Sequence, residues 1–284
     1  LPNRLLAQDR LEKMLDSRKK ALLVTGTEDS GVMITLHALT KHVDLFTTSV
    51  VAIEENVEID LMQVTQMAID SSSPESFDTV YKRALRDEPD MLLVDTLEKS
   101  ERLERLFQFA AEDGALVAPL RSKRSTKAFV ELLRMGLNPN LLYNGLGGVL
   151  NQRLVRKLCP DCKEEVEPTP RMRKRLNADA EEPLSLYKPA GCGNCLDSGY
   201  RGRTALFEFL RFAGGAKQLV KKAVAGEAKL SSKALKKAAD KDNLSTLEQA
   251  GIQKVKEGIT TMQELRRVLG TSRSKAATQS KKNN

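Results

Sequence analysis

The sequence has no tryptophan, and aromatic residues make up only 4% of it. Stacking platforms for single-stranded nucleic acid need exposed aromatic faces, so that scarcity speaks against a nucleic-acid partner. Apolar runs are short: none approaches the roughly 20 residues of a membrane-spanning helix. No secretory signal is visible, although the chain opens on Leu1 rather than methionine. Cysteine is confined to four positions. One site accounts for all of them, which points to a reducing compartment such as the cytosol.

What is present bounds the answer from the other side. The chain has 284 residues, 40% of them hydrophobic. That suffices for one large or two modest domains with packed cores. The net charge of +8 suits an anionic partner. Lysines crowd the C-terminal third at Lys217, Lys221, Lys222, Lys229, Lys233, Lys236 and Lys237. A solvated helix face accounts for most of them.

The cysteines form two dyads, Cys159-Pro-Asp-Cys162 and Cys192-Gly-Asn-Cys195. Two residues between the members of a pair let both thiolates grip one ion. Two such pairs complete the tetrahedral S4 shell that zinc favours. A closed shell stabilises rather than catalyses. Two redox dithiols, or four core thiols, are the competing readings.

Near the start, residues 10–18 read as an amphipathic helix. The run Ala21-Leu22-Leu23-Val24-Thr25-Gly26 reads as a buried strand entering a loop, with a helix following through His37 to Lys41. Strand, glycine-bounded loop and helix are the context of a phosphate-binding loop, and Gly26, Ser30 and Gly31 are the candidate nucleotide-binding residues. The chemistry departs from that motif. It needs lysine and then a hydroxyl at the two positions after Gly31, and here they are Val32 and Met33. Glu28 and Asp29 also enter the loop. A like charge at about 4 Å costs roughly 1 kcal/mol in water and about 4 near a protein surface.

Val50-Val51-Ala52-Ile53 reads as the next strand, ending in acids that include Glu54 and Glu58. A serine-rich turn at 71–74 leads to a helix holding Phe77, Val80, Tyr81 and Leu85. Met91-Leu92-Leu93-Val94-Asp95 is a strand whose acid suits a magnesium-linked position, although its partner hydroxyl on the loop is missing. A helix around Leu103, Leu106 and Phe107 and a strand over 114–118 follow. Arg121-Ser122-Lys123-Arg124 reads as a solvated basic turn. Strands alternating with helices predict a parallel sheet covered on both faces. A helix over 129–135 is capped by Gly136. Pro139 opens another, and residues 150–158 read as a basic helix leading to the first cysteine pair.

At this point the sequence resembles a known family. Gln152-Arg153-Leu154-Val155-Arg156-Lys157-Leu158-Cys159-Pro160-Asp161-Cys162 is similar to the approach to the zinc knuckle in the assembly ATPases of type II secretion and type IV pili. Gly191-Cys192-Gly193-Asn194-Cys195, then Gly199-Tyr200-Arg201-Gly202-Arg203-Thr204 with Phe207-Glu208, resembles the rest of that knuckle. Glu257-Gly258-Ile259-Thr260-Thr261 resembles the family's C-terminal ending. The likeness covers residues 5–270. It implies a RecA-like P-loop core, a hexamer, a place at the cytoplasmic face of the inner membrane, and partners among paralogous ATPase subunits and platform proteins. It implies ATP, magnesium and zinc as cofactors. Set on that pattern, Val32 and Met33 replace the loop lysine and hydroxyl, and Thr96 replaces the catalytic glutamate. Ala115 and Ser122 replace two histidines, while Glu54 and Glu58 match the acidic box. The family's smaller N-terminal domain, which lends arginines to the nucleotide site, has no counterpart in these residues.

The expected architecture is α/β: a degenerate RecA-like core over 1–150, a zinc knuckle region over 151–205, a helical subdomain over 206–270 and a disordered basic tail over 271–284. Framework residues match the family and chemistry residues do not. The expected function is a non-hydrolysing pseudo-ATPase, with nucleotide and magnesium binding in doubt. An active ATP-hydrolysing motor and a zinc-dependent, basic nucleic-acid or membrane-surface binding module are the alternatives.

Overall fold

The computed structural model describes residues 19–69, 77–97, 100–179, 183–241 and 244–270. The expected helix over 10–18, the turn at 71–74 and the tail over 271–284 lie outside them. Nine strands occur in chain order among the described residues: β1 (Lys20–Gly26), β2 (Val50–Glu54), β3 (Thr65–Ala68), β4 (Met91–Val94), β5 (Ala115–Arg121), β6 (Leu146–Leu158), β7 (Glu164–Val166), β8 (Leu186–Lys188) and β9 (Tyr200–Arg211). The helices are α1 (Val32–Thr40), α2 (Phe77–Arg86), α3 (Ser100–Glu112), α4 (Ser125–Arg134), α5 (Pro139–Gly145), α6 (Pro170–Leu176), α7 (Gly214–Val224), α8 (Ser232–Lys241), α9 (Leu247–Lys256) and α10 (Met262–Leu269). The chain divides into two units, Leu1–Arg153 with Phe207–Thr246, and Leu154–Leu206 with Leu247–Asn284. Residues 206–270, expected as one helical subdomain, are shared between them.

The first unit is built on a seven-stranded sheet in the order β3-β2-β4-β5-β1-β6-β9. The pairs β1–β5, β1–β6, β2–β3, β2–β4 and β4–β5 are parallel. Central strands are buried on both faces, so they are apolar throughout rather than alternating. Successive residues still point to opposite faces. Leu23, Val51, Ile53, Leu92 and Leu116 join a cluster with Val80, Phe107, Phe129 and Val220 from α2, α3, α4 and α7. Leu22, Val24, Val50, Leu93 and Val117 join the other, under Leu36 and Leu39 of α1. The α/β core with a mostly parallel sheet is thus present as the sequence predicts.

One element differs. Residues 150–158 form the body of strand β6, not a helix. The basic, leucine-rich run has fair helix propensity, but propensity is a weak prior that tertiary context overrides. Gly147 and Gly148 disfavour a helix and permit close approach of backbone. A Cβ at Gly148 would lie 2.8 Å from the Phe209 ring and 3.2 Å from the Leu210 carbonyl. The strand pairs with β1 as far as Asn151, and Asn151, Gln152 and Arg153 are buried, polar residues that an exposed helix would have left in water.

The second unit has its own core of Val155, Leu176, Leu186, Leu206, Leu247, Val255 and Leu265. β7 and β8 pair antiparallel. The Glu-Gly-Ile-Thr-Thr ending knits this unit together. The Ile259 carbonyl accepts from the Leu158 N–H at 2.8 Å, and the Thr260 hydroxyl donates to the Arg156 carbonyl at 2.8 Å. Thr261 caps α10 by accepting from the Glu264 N–H at 3.1 Å. Gly258 has φ +65 and abuts the Tyr187 ring, so both its backbone and its missing side chain are needed there.

Candidate functional site

Candidate chemistry is concentrated in two places: the loop after β1, and the cysteine cluster of the second unit. The loop has the expected course. Gly26 ends β1, Asp29 and Gly31 adopt left-handed φ values of 56 and 76, and α1 starts at Val32. The loop closes on itself. The Ser30 hydroxyl donates to the Thr27 carbonyl at 2.6 Å and fills the space a Cβ at Gly26 would enter, 1.9 Å away. Gln152 Nε2 donates to the Ser30 carbonyl at 2.6 Å, and Asn151 Nδ2 to Thr25 Oγ1 at 2.7 Å. Arg121 pairs with Glu28, but both side chains are largely exposed, and such a pair contributes only about 0–1 kcal/mol.

Val32 and Met33 pack against the cluster that holds Leu36 and Leu39. The side chains standing where a phosphate lysine and a magnesium hydroxyl are needed are apolar and partly buried. They offer neither a donor nor a ligand, so this loop does not fit magnesium-bound nucleotide through those positions.

Glu54, at the end of β2, is 1% exposed. Its carboxylate faces His37 Nε2 at 2.9 Å on one oxygen and accepts from Gln66 Nε2 at 2.7 Å on the other. Glu58, by contrast, is exposed in the loop beyond. Replacing His37 with leucine strips one partner from a buried carboxylate. The expected loss is roughly 1–3 kcal/mol, read as a fall in denaturant midpoint. His37→Gln, which keeps a donor, should lose less; equal losses would contradict this role for the hydrogen bond.

Asp95 Oδ2 accepts from the Glu55 N–H at 2.5 Å. Burial pushes its carboxyl above the usual range; the Glu55 N–H opposes this, while the charges of Glu55 and Glu54 add to it. Thr96 is half-buried beside it. Ser122 is buried, donates through Oγ to the Arg124 carbonyl at 3.0 Å, and bonds through its N–H to the Gly26 carbonyl. Among the described residues, His37 Nδ1, Asp95 Oδ1, Asn151 Oδ1 and Gln152 Oε1 are buried with no partner. Sequence reasoning misses His37, Gln66, Asn151 and Gln152. The available signal is the polar Asn-Gln pair inside an apolar run, which a helical reading assigns to a solvated face.

The second site has a sharper geometry. The sulfurs of Cys159, Cys162, Cys192 and Cys195 all lie within 4.8 Å of one another. Three of the Sγ···Sγ distances are 3.7, 3.8 and 3.9 Å. A tetrahedral ion with metal–sulfur bonds of about 2.3 Å requires roughly 3.8 Å between sulfurs. Backbone donors surround the cluster: Gly191 N–H to Cys162 Sγ at 3.3 Å, Cys192 N–H to Cys195 Sγ at 3.3 Å, and Gly199 N–H to Cys195 Sγ at 3.2 Å. Burial raises the Cys195 thiol pKa, yet the N–H groups of Cys192 and Gly199 bring it down to about 7. Burial takes Cys162 up to about 12 against the Gly191 N–H. The donor set fits a soft divalent ion. All four residues sit in the turns the sequence indicated.

A family model described as type II/IV secretion system protein matches residues 4–267. The chain belongs to that family. It is 30% identical over 263 residues to the type II secretion system ATPase E of Vibrio cholerae, covering 92% of this chain and 50% of that one. It is 30% identical over 259 residues to the type IV pilus assembly ATPase PilB of Thermus thermophilus, covering 90% of this chain and 28% of that one. The chain therefore spans half or less of the length of these relatives. Among solved structures it resembles the Legionella pneumophila ATPase DotB, with a TM-score of 0.64 at 14% identity over 92% of this chain and 64% of that one. It resembles the ADP-bound pilus retraction motor PilT equally, with a TM-score of 0.64 at 16% identity over 91% and 64%. At such identities the likeness speaks for the fold: the core has the RecA-like architecture of this secretion family. Among the described residues, no helix is long and apolar enough to cross a membrane.

Proposed function

We propose that this chain is a non-hydrolysing member of its family, acting as a structural or regulatory subunit of a secretion or pilus-assembly machine. One observation carries the reading: Val32 and Met33 stand at the positions of the phosphate lysine and magnesium hydroxyl, as partly buried apolar side chains packed against the cluster that holds Leu36 and Leu39. Phosphoryl transfer is catalysed by positioning and charge neutralisation. A single electrostatic contact in such a site is worth about 3 kcal/mol or more. Thr96 in place of a glutamate removes a further contact. An active motor would need a cation from elsewhere, but Arg121 is paired with Glu28, and Lys123 and Arg124 are exposed.

On this reading Gly26, Ser30 and Gly31 keep the shape of the loop without its chemistry. Cys159, Cys162, Cys192 and Cys195 hold a structural zinc ion. The subunit works at the cytoplasmic face of the inner membrane, within an assembly of paralogous ATPase subunits, and contacts membrane platform proteins. Phosphate release from magnesium-ATP by the purified, metal-loaded chain tests the central point. The expected rate equals that of buffer. Magnesium-dependent turnover that Asp95→Asn abolishes would overturn the proposal.

A further inference from the structure

The two cysteine dyads match position by position. Cys159 and Cys192, Cys162 and Cys195, and the inner residues Asp161 and Asn194 are each 33 residues apart. In space these equivalents meet in pairs. The first two pairs bring their sulfurs to 3.9 and 3.8 Å. The third is a hydrogen bond: Asn194 Nδ2 donates to Asp161 Oδ2 at 3.0 Å. Neither inner side chain belongs to the four-sulfur set, so this bond joins one knuckle to the other without passing through a metal.

Asp161 is also approached from β9. Arg201 Nη1 lies 3.7 Å from the same Oδ2. Both side chains are partly exposed, so the pair adds little stability, but it favours one direction for the carboxylate. Asp161 Oδ2 is 3.9 Å from Cys159 Sγ, which sets the link against the cluster itself. The cluster is not sealed: Cys159 and Cys195 are buried, whereas Cys162 and Cys192 are half-buried.

A four-thiolate site made from two Cys-x-x-Cys loops is a bivalent chelate. Each dyad alone holds an ion weakly, and the second adds affinity through its effective concentration beside the first. Metal leaves arm by arm, with one dyad opening before the other lets go. A link that ties the dyads directly keeps an opened dyad within reach of rebinding, and it preorganises the empty site.

We propose that the Asp161–Asn194 bond, directed by Arg201, is a strap that slows metal release by holding the two dyads together. Asp161 and Asn194 are then positioning residues of the metal centre, acting through the ligands rather than as ligands. The proposal rests on the zinc reading given above and extends it by naming what controls the lifetime of the bound ion. It holds whether or not the chain hydrolyses ATP.

Zinc transfer to an excess of chromophoric chelator, followed by absorbance, tests it on the full zinc-loaded chain. The variants are Asp161→Ala, Asn194→Ala, their combination and Asp161→Asn. Both positions are exposed, which leaves the core untouched. Cobalt loading gives a second readout, because its d–d and sulfur-to-cobalt bands report a tetrahedral four-sulfur shell; they should be the same in every variant. Each alanine variant should release zinc about tenfold faster, the lower end of the effect of removing a partner outside the ligand shell. The combination should match either single variant within about twofold, because both substitutions break one bond. Asp161→Asn keeps an oxygen for Asn194 and should release zinc within about threefold of the native rate. An alanine variant that loses its zinc during purification is the extreme of the expected result, provided Asp161→Asn retains it. Native release rates in both alanine variants, multiplied effects in the combination, or Asp161→Asn as fast as Asp161→Ala would overturn the strap. Altered cobalt bands in the alanine variants would overturn it too, since the two residues would then shape the shell itself. A native chain that takes up no zinc would instead overturn the zinc reading, and metal content shows that before any rate is measured.

Discussion

With the four cysteines holding zinc as proposed, Cys195→Ser should release the metal and unfold the second unit, while the first unit stays folded. The second unit is small and its core rests on a few leucines and valines. Structural zinc sites contribute apparent binding energies of about 10–16 kcal/mol in finger peptides at neutral pH. Whole domains are stable by only about 5–15 kcal/mol, so a unit of this size does not survive the loss of such a term. Cys195 Sγ accepts from the N–H groups of Cys192 and Gly199. Serine is smaller, binds zinc weakly and leaves those donors without an acceptor of the right reach. The first unit keeps its two apolar clusters and its parallel ladder. Hydrogen exchange separates the two outcomes. The amides of Leu158 and Cys159, which bond to Ile259 and Gly199, should lose protection, whereas those of β1 should not. Bound zinc should fall from about one equivalent to none. Native protection of Leu158 in the metal-free variant would contradict this role for the cluster.

The second large effect is expected at Glu264. Its side chain is fully buried, yet it is charged. Arg156 donates to Oε2 from Nε at 3.0 Å and from Nη2 at 2.8 Å, and its N–H reaches Oε1 at 3.0 Å. Arg267 adds two bonds of 2.7 Å. Arg156 also lies 4.2 Å from the centre of the Tyr200 ring, whose hydroxyl meets Thr261 Oγ1 at 2.9 Å. Burial would raise the pKa of this carboxyl, but the bonds from Arg267 and Arg156 outweigh it and hold it at about 2. Removing one partner of a buried pair costs about 3–5 kcal/mol. Both arginines here are half-exposed and can rehydrate, so Glu264→Ala should cost about 3 kcal/mol, the lower end of that range. The pH dependence follows in sign. A carboxyl whose pKa is depressed on folding stabilises the fold above its unfolded value, near 4.5, and loses that contribution as pH falls towards 2. The stability of the second unit should therefore decline across that window by more in the native chain than in Glu264→Gln. Parallel acid profiles would show that Glu264 is not the group responsible.

Much of this organisation is legible in the sequence, for identifiable reasons. Continuous apolar runs such as Ala21-Leu22-Leu23-Val24 and Met91-Leu92-Leu93-Val94 are strands buried on both faces, and their shortness between loop signals marks them as such. Paired cysteines announce their own convergence, because the spacing encodes the coordination geometry. The course of the loop after β1 is legible because left-handed backbone at Gly31 favours a glycine. Strand β6 is not legible. Its residues favour a helix locally, and only pairing with β1 and contact with the loop show why Asn151, Gln152 and Arg153 are there. The ties of Glu264 are equally hidden. Thr261 and Glu264 have the spacing of a capping box, but the carboxylate turns to Arg156 and Arg267 instead. Long-range partners of a buried charge leave no local pattern.

The proposed loss of phosphate chemistry in the loop after β1 is tested most directly by calorimetric titration of the metal-loaded chain with magnesium-ATP. No heat of binding is expected, because Val32 and Met33 offer neither a donor nor a metal ligand and Glu28 and Asp29 repel phosphate. Saturable, magnesium-dependent binding that is lost in Asp95→Asn would contradict that loss, and would mean that a cation from elsewhere in the protein completes the site.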